Sequence, residues 1–273
     1  IYGNTVGNQS RLPKKYQEIE YIESTGTQYI DTGYSNKDGF RGDATIALTK
    51  INGAESIFGS HNLKSPYARN YFGIDDDGKR WNIGTGDVYL ASTEAINIGQ
   101  VYNVNISTLL TDSYLKIDGN QIIKSTDSKL RSTANVLIFA CQWSLKYNDY
   151  LAQMKLYSME IYDPNNELAR EFIPSINKDG VVGLYDLIND KFYENAGTGT
   201  FKYEEILPST ANEVVVTLGE KYGQLPIPKR EGYEFKGWYT SKNDGEKIEN
   251  DTKVTEESNN QTLYARWEKI IQE

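Results

Sequence analysis

Two chemically versatile residue types are almost missing from this chain. Cysteine occurs once, at Cys141, and histidine occurs once, at His61. One cysteine cannot form an intrachain disulfide, and its place at the end of the apolar run Val136–Cys141 predicts a buried, inert thiol. One histidine excludes a His-rich zinc site, and a Ser-His-Asp triad would depend on a residue that we expect in an exposed loop.

Basic charge and long apolar runs are also scarce. Lys and Arg number 29 against 38 Asp and Glu, which gives a formal net charge of −9. This balance argues against binding to nucleic acid or to an anionic membrane surface, because both require a basic footprint. No apolar run approaches the ~20 residues of a membrane span, so no membrane insertion is expected. The start at Ile1, without Met, is typical of a fragment of a longer protein.

Short strands and turns are abundant instead. The segments Asp43–Lys50 and Val101–Ser107 alternate apolar and polar residues, as half-buried strands do. Turn residues at Gly119-Asn120 and Asp179-Gly180 predict hairpins, the second with a type I′ turn. No amphipathic helix of ordinary length is visible. Many short strands separated by turns predict an all-β sandwich or barrel.

The character of the sequence changes near Glu205. The segment Glu205–Asn212 contains Pro208, Ser209 and Thr210 and is typical of a linker. We therefore predict four parts, which are a linker at 1–11, a sandwich domain at 12–204, a linker at 205–212 and a small β-rich domain at 213–269. The sandwich is expected to fold without the C-terminal domain.

The first part resembles a known domain family. Its motifs are Glu20–Gly33, Leu137–Ala140, Lys155–Asp163, Gly183–Asp186 and Asn195–Gly197. They resemble the concanavalin A-like lectin or laminin-G-type domains in surface and phage-associated proteins of Gram-positive bacteria. The resemblance implies a two-sheet antiparallel jelly-roll sandwich, an extracellular location at the cell surface, and binding to glycan or protein without naming one ligand.

The second part resembles the Listeria–Bacteroides repeat, the B-type repeat of internalins. The motifs are Leu225-Pro226, Arg230–Tyr233, Phe235–Trp238 and Leu263–Trp267. The resemblance implies a small β-grasp-like unit that serves as a spacer on a cell surface, with Trp238 and Trp267 in its core. The usual first strand of this family, with an Asn-Gly-Gly turn, is missing. The unit is either a truncated variant, or Phe201–Leu207 replaces the missing strand.

A glycoside hydrolase is one alternative function. One large glycosidase family on this sandwich uses Glu-x-Asp-x-x-Glu, and Glu18, Glu20 and Glu23 have that spacing, with Glu20 in place of the Asp. In a regular strand Glu23 points away from Glu18 unless a bulge intervenes. The preferred interpretation is a solvated edge strand whose charges discourage aggregation.

A calcium site is a second, lesser alternative. Asp75, Asp77 and Gly78 resemble part of a calcium loop, but Gly73 and Gly84 would occupy the first and last positions of an EF-hand and cannot be ligands there. A hairpin turn explains the segment better. No cofactor is predicted, and calcium at Asp75 and Asp77 stays open.

Aromatic residues beside polar ones point to a sugar site. A flat ring stacks on sugar C–H groups, while Asn, Asp and Arg bind hydroxyls. The predicted ligand-binding residues are Trp143, Tyr147, Tyr67, Arg69, Trp81 and Asn62, and four of them lie in the two mixed aromatic and polar segments Tyr67–Tyr71 and Trp143–Tyr150. The opposing interpretation is that Trp81 and Trp143 cap the hydrophobic core of the sandwich.

The function predicted from the sequence is a non-catalytic carbohydrate-binding or adhesion fragment of a bacterial cell-surface protein. Its partner would be a glycan or cell-surface polysaccharide. A laminin-G-type module that binds a host or cell-wall protein, the glycosidase using Glu18 and Glu23, and a phage tail scaffold domain are the alternatives.

Overall fold

The computed structural model describes residues 11–64, 68–125, 131–142, 150–206, 215–228, 233–241, 244–258 and 261–269. No α-helix occurs in these ranges, so none contains a helix that could span a membrane. The strands are β1 (Tyr16–Glu23), β2 (Ile30–Asp31), β3 (Arg41–Lys50), β4 (Glu55–His61), β5 (Arg69–Ile74), β6 (Arg80–Gly86), β7 (Val88–Ala95), β8 (Val101–Thr108), β9 (Ser113–Ile117), β10 (Asn120–Ser125), β11 (Leu137–Ile138), β12 (Gln153–Tyr162), β13 (Leu168–Asn177), β14 (Val182–Asp186), β15 (Lys191–Glu194), β16 (Lys202–Glu205), β17 (Tyr233–Tyr239), β18 (Lys247–Ile248) and β19 (Tyr264–Lys269). A short 3₁₀ turn covers Glu256–Ser258.

The strands up to β16 form two antiparallel sheets. The larger sheet has ten strands in the order β10-β9-β8-β3-β12-β1-β13-β14-β15, with β16 paired to β1. The smaller sheet has the order β2-β11-β4-β5-β6-β7. The chain divides into two compact units, Ile1–Ile206 and Leu207–Glu273, so both sheets belong to the first unit. The predicted all-β, two-sheet sandwich is confirmed.

The core of the sandwich lies between the sheets. Along β3 the residues Ala44, Ile46 and Leu48 are buried as the alternation predicts. Aromatic rings join the smaller sheet to the larger one: Trp81 packs on Phe72 at a centroid distance of 5.4 Å and on Tyr102 of β8 at 5.1 Å. These contacts bury large apolar area, which stabilises the sandwich without disulfides.

Cys141 is a buried, free cysteine, as the sequence predicts. Burial raises the pKa of its thiol above the usual range because the thiolate would lose its hydration. The thiol is therefore an inert part of the core.

Both predicted hairpin turns differ in detail from expectation. The β9–β10 turn uses Asp118 and Gly119, with φ of 49° and 80°, and Asn120 already belongs to β10. At the β13–β14 turn only Gly180 has positive φ, at 79°, and Asn177 N–H donates to Val181 O at 3.0 Å. That pattern is a three-residue loop ending in a left-handed glycine rather than a two-residue type I′ turn.

The strand β1 is interior to its sheet, which corrects the edge-strand interpretation. It pairs with β12, β13 and β16. The pairing with β16 contradicts one alternative for Phe201–Leu207: Lys202–Glu205 completes the sandwich, so it does not replace the missing strand of the C-terminal sheet. Phe201 is buried and its ring lies 5.2 Å from that of Phe139.

The C-terminal unit contains a three-stranded sheet in the order β18-β17-β19. Its small core is formed by Tyr222, Leu225, Ile248 and Val254, and Trp238 packs against them. The Trp238 indole N–H donates to Pro226 O at 2.8 Å. The ring of Trp267 lies 5.4 Å from that of Phe235 on the neighbouring strand. Both tryptophans thus contribute packing contacts.

His61 is not the exposed loop residue that we expected. It ends β4, is 9% exposed, and its Nδ1 lies 3.1 Å from Gln142 O. Burial lowers the pKa of the imidazole because the charged form would lose hydration.

Replacing His61 with Gln should make the sandwich less sensitive to acid. The pKa of His61 is lower in the folded state than the ~6.5 of an unfolded chain, so the unfolded chain binds the proton first as the pH falls. The free energy of unfolding of the wild type should therefore decrease as the pH is lowered from about 6.5 to the folded-state pKa. Over the same pH range the variant should lose less stability. Urea midpoints above and below about pH 6.5 would measure this difference. An equal loss in both proteins would contradict it.

Candidate functional site

A pocket of about 210 Å³ opens on the outer face of the smaller sheet. Phe72 and Trp81 point into the core, so their neighbours along β5 and β6 point to the opposite face. Six residues that line the pocket determine its chemistry, and they are Arg69, Tyr71, Asp76, Asn82, Tyr89 and Tyr150.

The floor of the pocket is the ring of Tyr71, which lies across the backbone of β6. Tyr71 pairs with Gly84, and a Cβ at Gly84 would be 2.0 Å from Tyr71 Cε1. A Cβ at Gly59 on the other side would be 2.3 Å from Tyr71 Cα. Glycine at position 84 leaves room for the ring, and glycine at position 59 leaves room for the backbone of β5. Tyr71 is 2% exposed, and burial raises the pKa of its hydroxyl.

One wall of the pocket is Tyr89, which is held by a polar network. Its hydroxyl donates to Asp75 Oδ1 and accepts from Asn82 Nδ2 at 3.0 Å. Arg80 forms an ion pair with the other Asp75 oxygen. Burial and the bond to Asp75 raise the pKa of the Tyr89 hydroxyl, and the same bond lowers the pKa of Asp75. Tyr89 is nevertheless 39% exposed, so a ring that these hydrogen bonds fix in place still faces solvent.

Asn82 contributes a buried acceptor to the pocket. Its residue is 2% exposed, its Nδ2 is used by Tyr89, and its Oδ1 has no hydrogen-bond partner among the described residues. A Cβ on Gly73 would lie 2.3 Å from Glu55 O and 3.4 Å from Asn82 Oδ1, so the close approach of the β4 backbone requires glycine here. A buried carbonyl without a partner costs about 1–3 kcal/mol, so a ligand donor that reached this oxygen would recover that cost.

The opposite wall is Tyr150, whose backbone is strained. Tyr150 has φ of 67° and its residue is exposed, while its carbonyl accepts the Ser56 N–H at 2.7 Å. A left-handed conformation is unfavourable for tyrosine by roughly 1–3 kcal/mol, and such strain is concentrated at functional sites. The strain at this position presents an aromatic ring at the mouth of the pocket.

The predicted site residues have different outcomes. Arg69 lies in the pocket, and so do Tyr71 and Tyr150 from the two segments expected to bind sugar. Trp143, Tyr147 and Tyr67 lie outside the described residues.

Trp81 and Asn62 make structural contacts and do not line the pocket. The prediction that Trp81 binds ligand is wrong, because its side chain is 1% exposed between the sheets and offers no face to a sugar. Asn62 Oδ1 accepts the Thr133 N–H at 2.9 Å and the Ser132 hydroxyl at 3.1 Å, which holds the segment before β11.

Three pocket residues were not identified from the sequence. Asn82 and Tyr89 look like ordinary strand residues, and Asp76 lies in a segment interpreted as a turn. The available signal was the alternation of β6, since Asn82 must face away from the core that holds Trp81.

The glycosidase candidates lie on the other sheet. A bulge between Ile19 and Tyr21 lets Ile19 and Ile22 both enter the core, so Glu18 and Glu23 share the outer side. The Lys202 ammonium lies 3.8 Å from Glu23 Oε1. The bulge required by the enzyme alternative therefore exists, but these carboxylates do not line the pocket between Tyr89 and Tyr150.

Arg80 already occupies the carboxylates proposed to bind calcium. It pairs with Asp75, and its Nε lies 3.1 Å from Asp77 Oδ2. Calcium would have to displace this guanidinium. Within the described ranges no group of three or more His, Cys, Asp or Glu is arranged to hold a metal ion.

Comparison with known proteins identifies the C-terminal segment and gives distant likenesses for the sandwich. Residues 193–266 match the Listeria-Bacteroides repeat domain. The match begins in β15, so it includes strands that pair within the sandwich. No curated protein matches the chain.

Solved structures similar to the chain are β-proteins of low sequence identity. A Bacteroides ovatus protein proposed to bind carbohydrate has a TM-score of 0.49 and 13% identity over 69% of this chain and 60% of its own. Domains LG4-5 of the mouse laminin α1 chain have a TM-score of 0.42 and 8% identity over 78% of this chain and 51% of their own. The carbohydrate-binding module CBM66 of Bacillus subtilis has a TM-score of 0.35 and 10% identity over 55% of this chain and 96% of its own. The chain thus combines a two-sheet β-sandwich with a segment that matches the Listeria-Bacteroides repeat.

Proposed function

We propose that the sandwich binds carbohydrate, without catalysis, in the pocket walled by Tyr89 and Tyr150. The observation that carries the proposal is the buried Asn82 Oδ1 between two exposed tyrosines, since this oxygen has no hydrogen-bond partner within the described part of the chain. Stacking on a ring and a hydrogen bond to a positioned amide are the two contacts that fix a sugar in a site.

The surroundings of the site support the same proposal. Tyr89 is held by Asp75 and Asn82, so little side-chain entropy is lost when a ligand stacks on it. Arg69 and Asp76 supply charged donors and acceptors at the rim. We further propose that the chain acts outside the cell as an adhesion fragment and that its repeat is a spacer, in agreement with the repeat match.

Replacing Tyr150 should separate binding from stability. Tyr150→Ala should weaken binding to any glycan found on an array by roughly thirtyfold or more, because an aromatic anchor contributes at least ~2 kcal/mol. Titration calorimetry on the full chain would measure the affinity. Tyr203→Ala is the matched control, since Tyr203 is 40% exposed on β16 of the other sheet and should leave affinity unchanged.

Tyr150→Gly adds a second measurement. Glycine adopts positive φ without strain, which offsets the roughly 0.5–1 kcal/mol of chain entropy that glycine loses on folding. The melting temperature should therefore stay close to wild type while affinity falls. If the full array shows no glycan ligand, the carbohydrate proposal is overturned and a protein ligand becomes the alternative. If Tyr150→Ala binds a glycan as tightly as wild type does, the pocket is not the binding site.

A further inference from the structure

The pocket has a polar direction. Along β5 the residues Arg69, Tyr71 and Gly73 face outward in turn, and their partners on β6 are Gly86, Gly84 and Asn82. The Arg69 and Gly73 backbones are thus about 14 Å apart along β5, at roughly 3.4 Å per residue. The Arg69 side chain spans part of this distance, since its Cδ lies 3.1 Å from where a Cβ on Gly84 would be, and the Asn82 acceptor lies farther along β5.

The Asn82 end is rich in acceptors. Asp76 follows β5, is exposed, and lines the pocket. With Asn82 Oδ1, the Asp76 carboxylate forms an end of the pocket that a donor-only, positively charged group complements.

The size of the pocket limits what reaches this end. Its volume of about 210 Å³ is below the roughly 300–1,000 Å³ of sites for drug-sized ligands. The rings of Tyr89 and Tyr150 bound it on two sides. One sugar ring fills such a space. A terminal ring has only one glycosidic linkage to lead out past the two tyrosines, so a chain end is the simplest occupant.

We propose that the pocket selects a chain-terminal amino sugar whose free ammonium group donates to Asn82 Oδ1 and faces Asp76. This inference rests on the proposed carbohydrate function and names its ligand class. An ammonium carries three donors and no acceptor, which satisfies the buried amide oxygen and neutralises the carboxylate at the same end. Hydroxyl or N-acetyl groups at that position would donate to Asn82 Oδ1 but would not neutralise the charge of Asp76.

The experiment compares three sets of oligosaccharides of equal length on the full chain. They carry at their end glucosamine, N-acetylglucosamine or glucose, and calorimetry measures each affinity. Glucosamine-terminated chains should bind at least about tenfold tighter than the other two, since a tenfold ratio needs only one charge-assisted hydrogen bond. Raising the pH until the ligand amine loses its proton should remove the preference.

Two neighbouring carboxylates provide matched variants. Asp76→Asn should reduce the preference to near unity, whereas Asp77→Asn should retain it, because Asp77 is also exposed but pairs with Arg80. Equal binding of all three sets, with loss on Tyr150→Ala, would overturn the amino-sugar inference and leave the carbohydrate function standing. Absence of binding to every set and to the array would overturn both. A preference that Asp76→Asn leaves intact would overturn the assigned orientation.

Discussion

Trp81→Ala should lower the free energy of unfolding of the sandwich by about 3–5 kcal/mol. The indole is 1% exposed, stacks on Phe72 and meets Tyr102 edge-on, so its removal opens a cavity between the two sheets. Urea denaturation followed by circular dichroism would measure the loss. The aromatic contacts to both sheets explain why this residue matters more than its neighbours on the strand.

The control for this position is Trp81→Phe. It fills part of the cavity, so we expect a smaller loss of stability and an unchanged affinity for any glycan ligand. Binding lost in a Trp81→Phe protein that melts as wild type does would show that the indole contacts ligand. That result would contradict the assignment of Trp81 to the core.

Asp186→Ala should destabilise the sandwich by a similar amount, about 3–5 kcal/mol. Asp186 is fully buried at the end of β14 and forms an ion pair with Arg170, whose Nε lies 3.3 Å from Oδ2. Its carboxylate also accepts the Ile188 N–H at 3.0 Å and the Asn189 Nδ2 at 2.7 Å. Alanine would leave the Arg170 guanidinium, whose side chain is only 17% exposed, without its charge partner, and would remove the acceptor of the other two donors.

Asp186→Asn separates charge from hydrogen bonding. The amide keeps the shape and one acceptor oxygen, so we expect a loss smaller than that of Asp186→Ala but still measurable, because the charge of Arg170 loses its partner. Denaturation midpoints of the three proteins would rank them. An Asp186→Ala protein as stable as wild type would show that this network does not hold the β13–β15 region together.

Much of the fold was predictable because it depends on local pattern. Alternation along Asp43–Lys50 and Val101–Ser107 predicts half-buried strands since side chains alternate with a period of two. The lone Cys141 in an apolar run predicts a buried thiol for the same local reason. The repeat at the C-terminus was identifiable from a few short motifs, and residues 193–266 match that family.

The candidate site was predictable only in part. Arg69 and Tyr150 belong to segments that the sequence marks as aromatic and polar, and the fold brings them into one pocket. Trp81 was misassigned because a tryptophan beside Arg80 and Asn82 has the same local sequence whether it faces the core or the solvent. The phase of β6 decides which, and that phase depends on packing against Phe72 and Tyr102.

The sequence alone determined that this chain is all-β, free of disulfides, acidic, and composed of a sandwich followed by a repeat. Only the tertiary structure decided that β1 is an interior strand, that Tyr71 lies over Gly84, and that Asn82 Oδ1 beside Tyr89 has no hydrogen-bond partner among the residues described. These features arise from pairings between residues far apart in the chain. Strand propensity is local, whereas register and pocket geometry result from which distant strands become neighbours.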